Sequence, residues 1–313
     1  MNATLSLDLD NKWSYMMVHG DPGWDAFPSY LDLVVPRVLE TLRAHKLKIT
    51  VFIVGQDAAL ESSRDALASI AHDGHEIGNH SFHHRPWLHK RTRAEINEEL
   101  AQSEEAISKA TGRQTIGFRG PGYSRSPEIL DVLAARGYLY DASPLSTWIG
   151  PLARAYYLRS TRLNASASAE RDELFGGFSD GLGPNRRFAT ETPSGALTIV
   201  PVTTMPIVRI PIHMSYVLYL SAISPRLARS YARLSLAMCR LTGTEPSILL
   251  HPLDFIGGND APELRFFPGM QLAGDRKREV LNDVLGLLTR QFNVMRLADF
   301  VMEGRNSGAV SAA

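Results

Sequence analysis

Residues 48–54 read Lys48-Ile-Thr-Val-Phe-Ile-Val54, and Gly55 follows them. A short run this rich in apolar and β-branched residues predicts a buried strand. Residues 58–73 then carry apolar side chains at helical spacing, and Gly74 is the residue type that commonly ends a helix. The next residues, His75-Glu-Ile-Gly78, predict a second strand, so strand, helix and strand follow one another without a break.

The same alternation continues on both sides of this unit. Thr92 followed by Glu95 is the signature of a capping box and predicts where one helix begins. Since no Gly-x-Gly-x-x-Gly opens a helix after a strand, a dinucleotide-binding fold has no support. Alternation of this kind predicts an α/β fold with parallel strands, either doubly wound or a barrel. The other predicted helices cover residues 30–45, 92–111, 127–136, 225–242 and 274–292, and the other predicted strands cover residues 4–9, 114–118, 138–140, 197–200, 247–251 and 294–297.

Composition excludes several classes of protein. Of the 313 residues, 44% are hydrophobic and 21% are charged, which is ordinary for a globular protein and excludes a disordered or fibrous one. Lys and Arg number 33, and so do Asp and Glu, so the basic excess typical of nucleic-acid binders is missing. The single cysteine, Cys239, cannot form an internal disulfide. The N-terminus has no secretory pattern, and no apolar run reaches the ~18 residues of a membrane span, so we expect a cytoplasmic protein.

The alternation stops between about residues 143 and 201, where a glycine-rich stretch has no single period. We predict one barrel domain over residues 1–303 with an insertion at about 143–201, and a flexible tail over residues 304–313. Because a long structureless loop is uncommon inside a compact domain, the insertion should be partly helical. We expect it to form, with residues 205–219, a lid that sets substrate choice; padding of the outer side of the barrel, a dimer contact and contact with a lipid-linked substrate are the alternatives. Its aromatic and apolar residues are Trp148, Tyr156, Tyr157, Phe175, Phe178 and Phe188, followed by Met205, Ile207, Tyr216 and Tyr219.

Two carboxylates stand at the end of the first predicted strand, in Asp8-Leu-Asp10. Residues two apart in a strand face the same side, so both carboxylates can address one point. A solvated strand end is the alternative. It fits Asp8 poorly, because Leu5, Leu7 and Leu9 surround it and an unpaired buried carboxylate costs several kcal/mol.

Half of the ten histidines lie within residues 75–89. His80 and His84 are four residues apart and would share one face of a helical turn, a spacing that suits two ligands of one metal ion. His75, His83 and His89 complete the group. A polar surface loop is the alternative, and the spacing alone does not separate the two interpretations.

Two further motifs follow predicted strands. Arg119 precedes the turn Gly120-Pro-Gly-Tyr123, and its guanidinium could hold Asp8 or Asp10. The turn leaves backbone N–H groups that could face a developing oxyanion, although an ordinary turn with a surface arginine would have the same sequence. His251 ends another apolar strand; a structural histidine is the alternative, but its position predicts the same face of the barrel as the other motifs.

Together and in this chain order, these motifs resemble those of the NodB-homology polysaccharide deacetylases (carbohydrate esterase family four). The resemblance covers roughly residues 4–140 and 246–300, and the insertion lies outside it. The family's first motif has two adjacent aspartates, whereas Leu9 separates them here. The other matching stretches are Asn79-His-Ser-Phe-His-His84 (second motif), Phe118-Arg-Gly-Pro121 (third), Tyr140-Asp-Ala-Ser143 with Trp148 as a candidate for the family's tryptophan (fourth), and Leu249-Leu-His251 (last).

The resemblance implies a distorted (β/α) barrel of about seven parallel strands, with one divalent metal ion held by Asp10, His80 and His84. Zinc is the expected metal, with cobalt, nickel, manganese and iron as alternatives. The Asp-x-Asp form leaves the roles of Asp8 and Asp10 open to exchange. The other implied roles are Asp8 as the base, Arg119 as the group that steadies it, His251 as the acid, Gly122 or Tyr123 as the oxyanion donor, and Trp148 as a substrate contact.

The implied reaction is hydrolysis of an N-acyl group of the acetyl type on a sugar or polysaccharide. The expected partner is a carbohydrate rather than a nucleic acid, and a homo-oligomer is left open. Deacylation or deformylation of a lipid-linked sugar or a small amide is one alternative, and a catalytically silent carbohydrate-binding barrel is another. A non-heme Fe(II) oxygenase uses the same type of ligands, but its antiparallel double-sheet folds conflict with the predicted alternation.

Overall fold

The computed structural model describes residues 1–152 and 181–306. At its centre lies a nine-stranded sheet. The strands are β1 (Asn2–Asp8), β2 (Thr50–Ile53), β3 (Glu76–Asn79), β4 (Gly117–Phe118), β5 (Tyr140–Asp141), β6 (Phe188–Thr192), β7 (Gly195–Ile199), β8 (Ser247–Leu250) and β9 (Asn293–Met295). Their order in the sheet is β6-β7-β5-β4-β3-β2-β1-β8, and β9 pairs with the first part of β1.

Neighbouring strands of the sheet are parallel, except for the antiparallel hairpin formed by β6 and β7. Strands β2 and β8 are buried along their whole length, as parallel strands covered on both faces are expected to be. The predicted α/β barrel-like fold is therefore confirmed. The sheet has nine strands rather than about seven parallel ones, because residues 188–199 of the predicted insertion form a hairpin that extends the sheet through β5 and β7.

Helices cover the sheet, and the predicted ones begin close to where the sequence places them. The capping box of Thr92 and Glu95 is present at the start of the longest of these helices, Arg93–Thr111. One predicted helix, residues 58–73, is divided into two by the extended residue Leu60. In the part of the chain that the structure describes, no helix has both the length and the apolar character needed to cross a membrane. The helices are α1 (Lys12–His19), α2 (Leu31–Ala44), α3 (Gly55–Ala59), α4 (Arg64–His72), α5 (Arg93–Thr111), α6 (Pro127–Ala135), α7 (Met214–Ile223), α8 (Pro225–Leu241), α9 (Gly274–Gln291) and α10 (Leu297–Asn306). Of these, α1, α7 and α10 were not predicted.

Part of the predicted lid lies outside the described residues, including Tyr156, Tyr157, Phe175 and Phe178. Its role in substrate choice stays a prediction. The other members are dispersed: Phe188 begins β6, Met205 is buried, Tyr216 lies on α7, and Ile207 and Tyr219 are exposed. At the C-terminus, α10 reaches Asn306, so the first three residues of the predicted tail are helical and the rest lie outside the described residues.

Candidate metal centre and active site

Strand β1 delivers two carboxylates to the carboxyl edge of the sheet. Asp8 is its last residue and Asp10 follows two positions later, and both are buried. In the neighbouring strand β8, Leu250 pairs with Leu7, so the next residue, His251, leaves the sheet beside Asp8. The carboxyl ends of parallel strands are where such folds build their sites, and the predicted motifs meet there.

Asp10, His80 and His84 form a buried cluster that could hold a metal ion. Asp10 Oδ1 lies 3.3 Å from His80 Nε2 and 3.0 Å from His84 Nε2. Although they are this close, Asp10 Oδ1 and His84 Nε2 make no aligned hydrogen bond within the described residues. Separations of about 3 Å without a hydrogen bond are typical of neighbouring ligand atoms around one small cation. The two-histidine, one-carboxylate set therefore fits a divalent metal.

The two histidines converge through a loop, and the predicted helical turn is wrong. Ser81 and His84 have positive φ angles of 62° and 52°, which a helix does not allow. Side chains replace the helical hydrogen bonds: the Ser81 N–H donates to Asn79 Oδ1 at 2.8 Å, and the His84 N–H donates to Ser81 Oγ at 3.2 Å. His80 is fixed separately, because its Nδ1 bonds the Arg119 carbonyl oxygen at 2.6 Å. That bond orients Nε2 toward the cluster.

Mutual electrostatics stabilise the charged forms of the cluster. Burial alone would raise the pKa of Asp10, but His84 and His80 hold it well below its usual value. Burial alone would lower the pKa of His80, but Asp8 and Asp10 raise it above its usual value. The site thus combines buried carboxylates and imidazoles whose charges depend on one another, as perturbed groups at functional sites commonly do.

The three other histidines of residues 75–89 have structural partners. The Ile49 N–H donates to His75 Nδ1 at 3.1 Å, so His75 anchors the start of β3. His83 bonds Glu99 at 2.7 Å, and His89 bonds Ser124 at 2.9 Å. Of the five histidines in this stretch, two therefore belong to the cluster and three bind neighbouring segments of the chain.

Arg119 holds Asp8 from beneath the site, as predicted. Its Nη1 donates to Asp8 Oδ1 at 2.8 Å and to Ser6 Oγ at 2.8 Å, while its Nε donates to the Ala142 carbonyl oxygen at 2.8 Å. Arg119 is fully buried. The second oxygen of Asp8, Oδ2, lies 3.9 Å from His80 Nε2. Asp8 therefore has one oxygen fixed by the guanidinium and the other directed toward the cluster.

The imidazole of His251 belongs to a hydrogen-bonded chain that the sequence did not predict. Ser215 Oγ donates to Asp254 Oδ1 at 2.9 Å and lies 3.2 Å from His251 Nδ1. Because the Ser215 hydroxyl donates its proton to Asp254, the Ser215 oxygen must accept a hydrogen bond from His251 Nδ1–H. The other ring nitrogen of His251, Nε2, is then available to other partners. Asp254 also accepts from the His251 backbone N–H at 2.8 Å. The aspartate three residues after a strand-end histidine was the available signal in the sequence.

Helix α7 brings two more residues close to His251. His213 caps its start, and the His213 and His251 rings lie 6.0 Å apart. The Tyr216 ring lies 4.6 Å from the His213 ring. Burial, together with the positive groups His251 and Arg119, lowers the pKa of His213 to about 3. His213 therefore stands neutral at the site, and its Nδ1 has no hydrogen-bond partner among the described residues.

The turn after β4 uses the N–H of one of the two expected oxyanion donors, and the role of the other, Gly122, stays a prediction. The Tyr123 N–H donates to the Gly120 carbonyl at 3.0 Å and is not free, so Tyr123 is corrected as a backbone donor. Gly122 has a φ of 58°, and a side chain there would meet Pro86 at 2.9 Å, so the turn requires glycine. Asp141 shapes this turn: Ser143 donates its hydroxyl to Asp141 and accepts from the Gly120 N–H at 2.8 Å.

Trp148 does not join the cluster through any contact that the structure describes. Its Nε1 donates to the Val208 carbonyl at 2.8 Å, and the ring is half-exposed. The expected substrate role of Trp148 stays a prediction. Its indole N–H is already used, so only the ring faces could contact a ligand.

A buried polar layer supports β1 from behind. The Tyr30 hydroxyl donates to the Asp10 carbonyl oxygen at 2.5 Å. Asp57 Oδ1 accepts from Asn11 Nδ2 at 2.7 Å and from Trp13 Nε1 at 2.8 Å. Burial raises the pKa of Asp57 to about 7. These contacts fix the backbone on either side of Asp10 and thereby the direction of its carboxylate.

Comparison with known proteins agrees with this geometry. The polysaccharide deacetylase family model matches residues 21–140, which include His80, His84 and Arg119. Residues 21–140 are thus similar to the polysaccharide deacetylases. The chain is 37% identical over 104 residues to the peptidoglycan-N-acetylmuramic acid deacetylase of Bacillus subtilis, covering 33% of the chain and 38% of that protein. It is 34% identical over 101 residues to a chitooligosaccharide deacetylase of Azorhizobium caulinodans, covering 32% and 47%.

The chain is also similar to solved structures. A structure from Mycobacterium smegmatis, assigned to the polysaccharide deacetylases, matches with a TM-score of 0.62 at 18% identity, covering 100% of this chain and 93% of that one. One from Pseudomonas aeruginosa matches with a TM-score of 0.61 at 13% identity, covering 97% and 91%. At these identities the likeness shows the fold alone. The chain spans less than half the length of the two curated relatives named above.

Proposed function

We propose that this protein is a metal-dependent hydrolase that removes an N-acyl group, of the acetyl type, from a sugar or polysaccharide. The observation that carries the proposal is the convergence of Asp10, His80 and His84 in one buried cluster, with Asp8 held beside it by Arg119. The two curated relatives named above are deacetylases of peptidoglycan and of chitooligosaccharides, and we extend the reaction class, rather than either substrate, to this chain.

In this proposal Asp10, His80 and His84 hold one divalent cation. Zinc suits a set of two imidazoles and one carboxylate, and cobalt, nickel, manganese and iron are alternatives. When bound, such a metal polarises the acyl carbonyl and lowers the pKa of a coordinated water. Asp10 is the better ligand candidate of the two aspartates, because its Oδ1 lies within 3.3 Å of both Nε2 atoms whereas Asp8 Oδ2 lies 3.9 Å from His80.

Asp8 takes the proton of the attacking water. Arg119 binds Oδ1 and thereby keeps the carboxylate in place, while Oδ2 stays available on the side of the cluster. A positioned base of this kind contributes about 10²–10⁴ to the rate. We assign the Gly122 N–H as the donor to the oxygen on which negative charge develops, because a backbone N–H in the turn after β4 can stabilise an oxyanion.

His251 gives a proton to the leaving amine. Ser215 and Asp254 hold its Nδ1, so that Nε2 is the atom that transfers the proton. In a catalytic triad a carboxylate orients the catalytic imidazole directly. Here Asp254 orients His251 in the same way, but the Ser215 hydroxyl lies between them. In this arrangement Ser215 and Asp254 are positioning residues.

The deciding experiment measures acetate release from a panel of N-acetylated saccharides by the metal-loaded protein and by its Asp8→Asn variant. We expect turnover by the wild type and a loss of about 10²–10⁴ in the variant with the metal retained. Turnover by neither protein, with metal bound and the fold intact, would favour a catalytically silent carbohydrate-binding barrel.

A further inference from the structure

The solvent side of α8 carries a line of leucines. Leu227, Leu234 and Leu241 are 46%, 55% and 82% exposed, where a helix in a globular protein would normally place polar residues. Their spacing of seven residues puts them on one side of the helix, along about 21 Å. Just before the helix, Ile223 at the end of α7 is 70% exposed and extends this line.

Three arginines run beside the leucines. Arg226, Arg233 and Arg240 have the same seven-residue spacing and are exposed, one position before each leucine. Only the fourth arginine of the helix, Arg229, has an acidic partner among the described residues, since its Nη2 lies 2.5 Å from Asp283. We call the surface formed by Arg226, Leu227, Arg233, Leu234, Arg240 and Leu241 the Leu–Arg face.

The charge of this region differs sharply from that of the whole chain. Acidic and basic residues are equal in number over the full sequence, 33 of each. Residues 192–244 nevertheless contain five arginines and no Asp or Glu. The Leu–Arg face therefore combines uncompensated positive charge with exposed apolar side chains, which is the pattern of helices that lie on anionic lipid surfaces.

An open groove of about 460 Å³ lies at the end of α8 and, like the Leu–Arg face, contains arginines and an exposed apolar side chain. Thr242, next to Leu241, lines it together with Arg186, Arg209 and Ile207. Arg209 Nη1 is buried without a hydrogen-bond partner among the described residues, and Ile207 is 80% exposed. Arg187 also lines the groove but is paired with Glu245 at 3.4 Å. The groove thus offers cationic groups beside an exposed apolar side chain.

We propose that the Leu–Arg face and the adjoining groove dock on an anionic lipid surface. The leucines would enter the acyl boundary while the arginines meet the phosphates. A second copy of the chain fits less well, because a symmetric contact through this face would bring the arginines of the two copies together with no acidic residue from residues 192–244 to separate them.

Helix α7 connects the Leu–Arg face to the candidate active site along the chain. Helix α7 precedes α8 directly, and it carries Ser215 and Tyr216 beside His251 and His213. The docking proposal does not depend on the proposed reaction. It does provide a physical reason for a substrate linked to a lipid, which was one of the alternatives considered from the sequence.

The test is sedimentation of the full chain with vesicles of phosphatidylcholine alone or mixed with phosphatidylglycerol. We expect binding to the mixed vesicles at low salt, little binding to phosphatidylcholine alone, and release as salt is raised. The triple variant R226Q/R233Q/R240Q should bind roughly 100-fold more weakly, and L227Q/L234Q/L241Q at least about tenfold more weakly.

Matched controls separate docking from other effects. R226K/R233K/R240K keeps the charge and should bind nearly as the wild type does. I116Q/M302Q removes two exposed apolar side chains elsewhere and should have no effect. Asp10→Ala should bind vesicles normally even if the proposed reaction is wrong. Absence of binding to the mixed vesicles at low salt would overturn the proposal, and so would a dimer in light scattering that the leucine variant dissociates.

Discussion

Arg119 Nη1 lies 2.8 Å from Asp8 Oδ1, and both side chains are buried. This pair joins the end of β1 to the residue that follows β4, on the far side of β2 and β3. A buried carboxylate without a partner would be costly, and the guanidinium provides that partner for Asp8. The free oxygen of Asp8 is then the group best placed to accept a proton.

Asp8→Asn should therefore slow the reaction without releasing the metal. The amide keeps the shape of the side chain but cannot act as a base, and we expect kcat to fall about 10²–10⁴-fold. Initial rates of acetate release and metal content measure the two properties separately. Asp25→Asn, at an exposed position, is the matched control. An unchanged kcat would assign the base to another residue.

His84→Ala should remove the metal. The wild type should contain one ion per chain after loading and desalting, whereas His84→Ala and Asp10→Ala should each retain much less, since each removes one of three ligands. His83→Ala is the control in the same loop, because its imidazole bonds Glu99 instead. Elemental analysis gives the stoichiometry, and a fully loaded His84→Ala would contradict the ligand assignment.

Ser215→Ala should weaken proton donation by His251. Loss of the hydroxyl breaks the link to Asp254, and we expect kcat for an amide substrate to fall about tenfold, less than the roughly 10²–10⁴-fold contribution of the acid itself. An ester with a leaving group that needs no proton should be much less affected. Ser221→Ala is the control, because the Ser221 hydroxyl bonds the Leu218 carbonyl within α7. Equal losses on both substrates would indicate a structural role for Ser215.

The sequence predicted the parts of the fold that depend on local pattern. The capping box of Thr92 and the start of α8 at Pro225 follow from short-range chemistry, and both lie where expected. Helix α7 was missed because it is apolar on all sides and has no helical period. The hydroxyl that links Asp254 to His251 comes from this missed helix.

The candidate site was likewise predicted only in part. Asp8, Asp10, His80 and His84 were identified from their spacing and order, and the structure brings them together. The conformation that unites the histidines was not predicted, since it depends on Ser81 in a left-handed region and on a bond to Asn79. A conformation that depends on particular side-chain contacts leaves no periodic pattern in the sequence from which it could be predicted.

His75 should make stability depend on pH. Burial, and next the nearby Lys48, lower the pKa of His75 to about 4 in the folded protein. The contribution of neutral His75 to the free energy of unfolding is complete above the pKa of about 6.5 that His75 has in the unfolded chain. This contribution is lost as the pH falls through the folded pKa of about 4. The slope from this group is at most about 1.4 kcal/mol per pH unit. Urea midpoints between pH 7.5 and 5 should fall less in His75→Asn than in the wild type or in the exposed control His72→Asn.

The central claim is that Asp10, His80 and His84 hold a metal at which an N-acetyl group of a saccharide is hydrolysed. Acetate release by one preparation, measured as purified, after chelation and after reloading with zinc, tests it most directly. The account predicts loss of turnover on chelation, recovery on reloading, and no recovery in His84→Ala. Turnover that persists in the chelated protein, or that returns fully in reloaded His84→Ala, would contradict it.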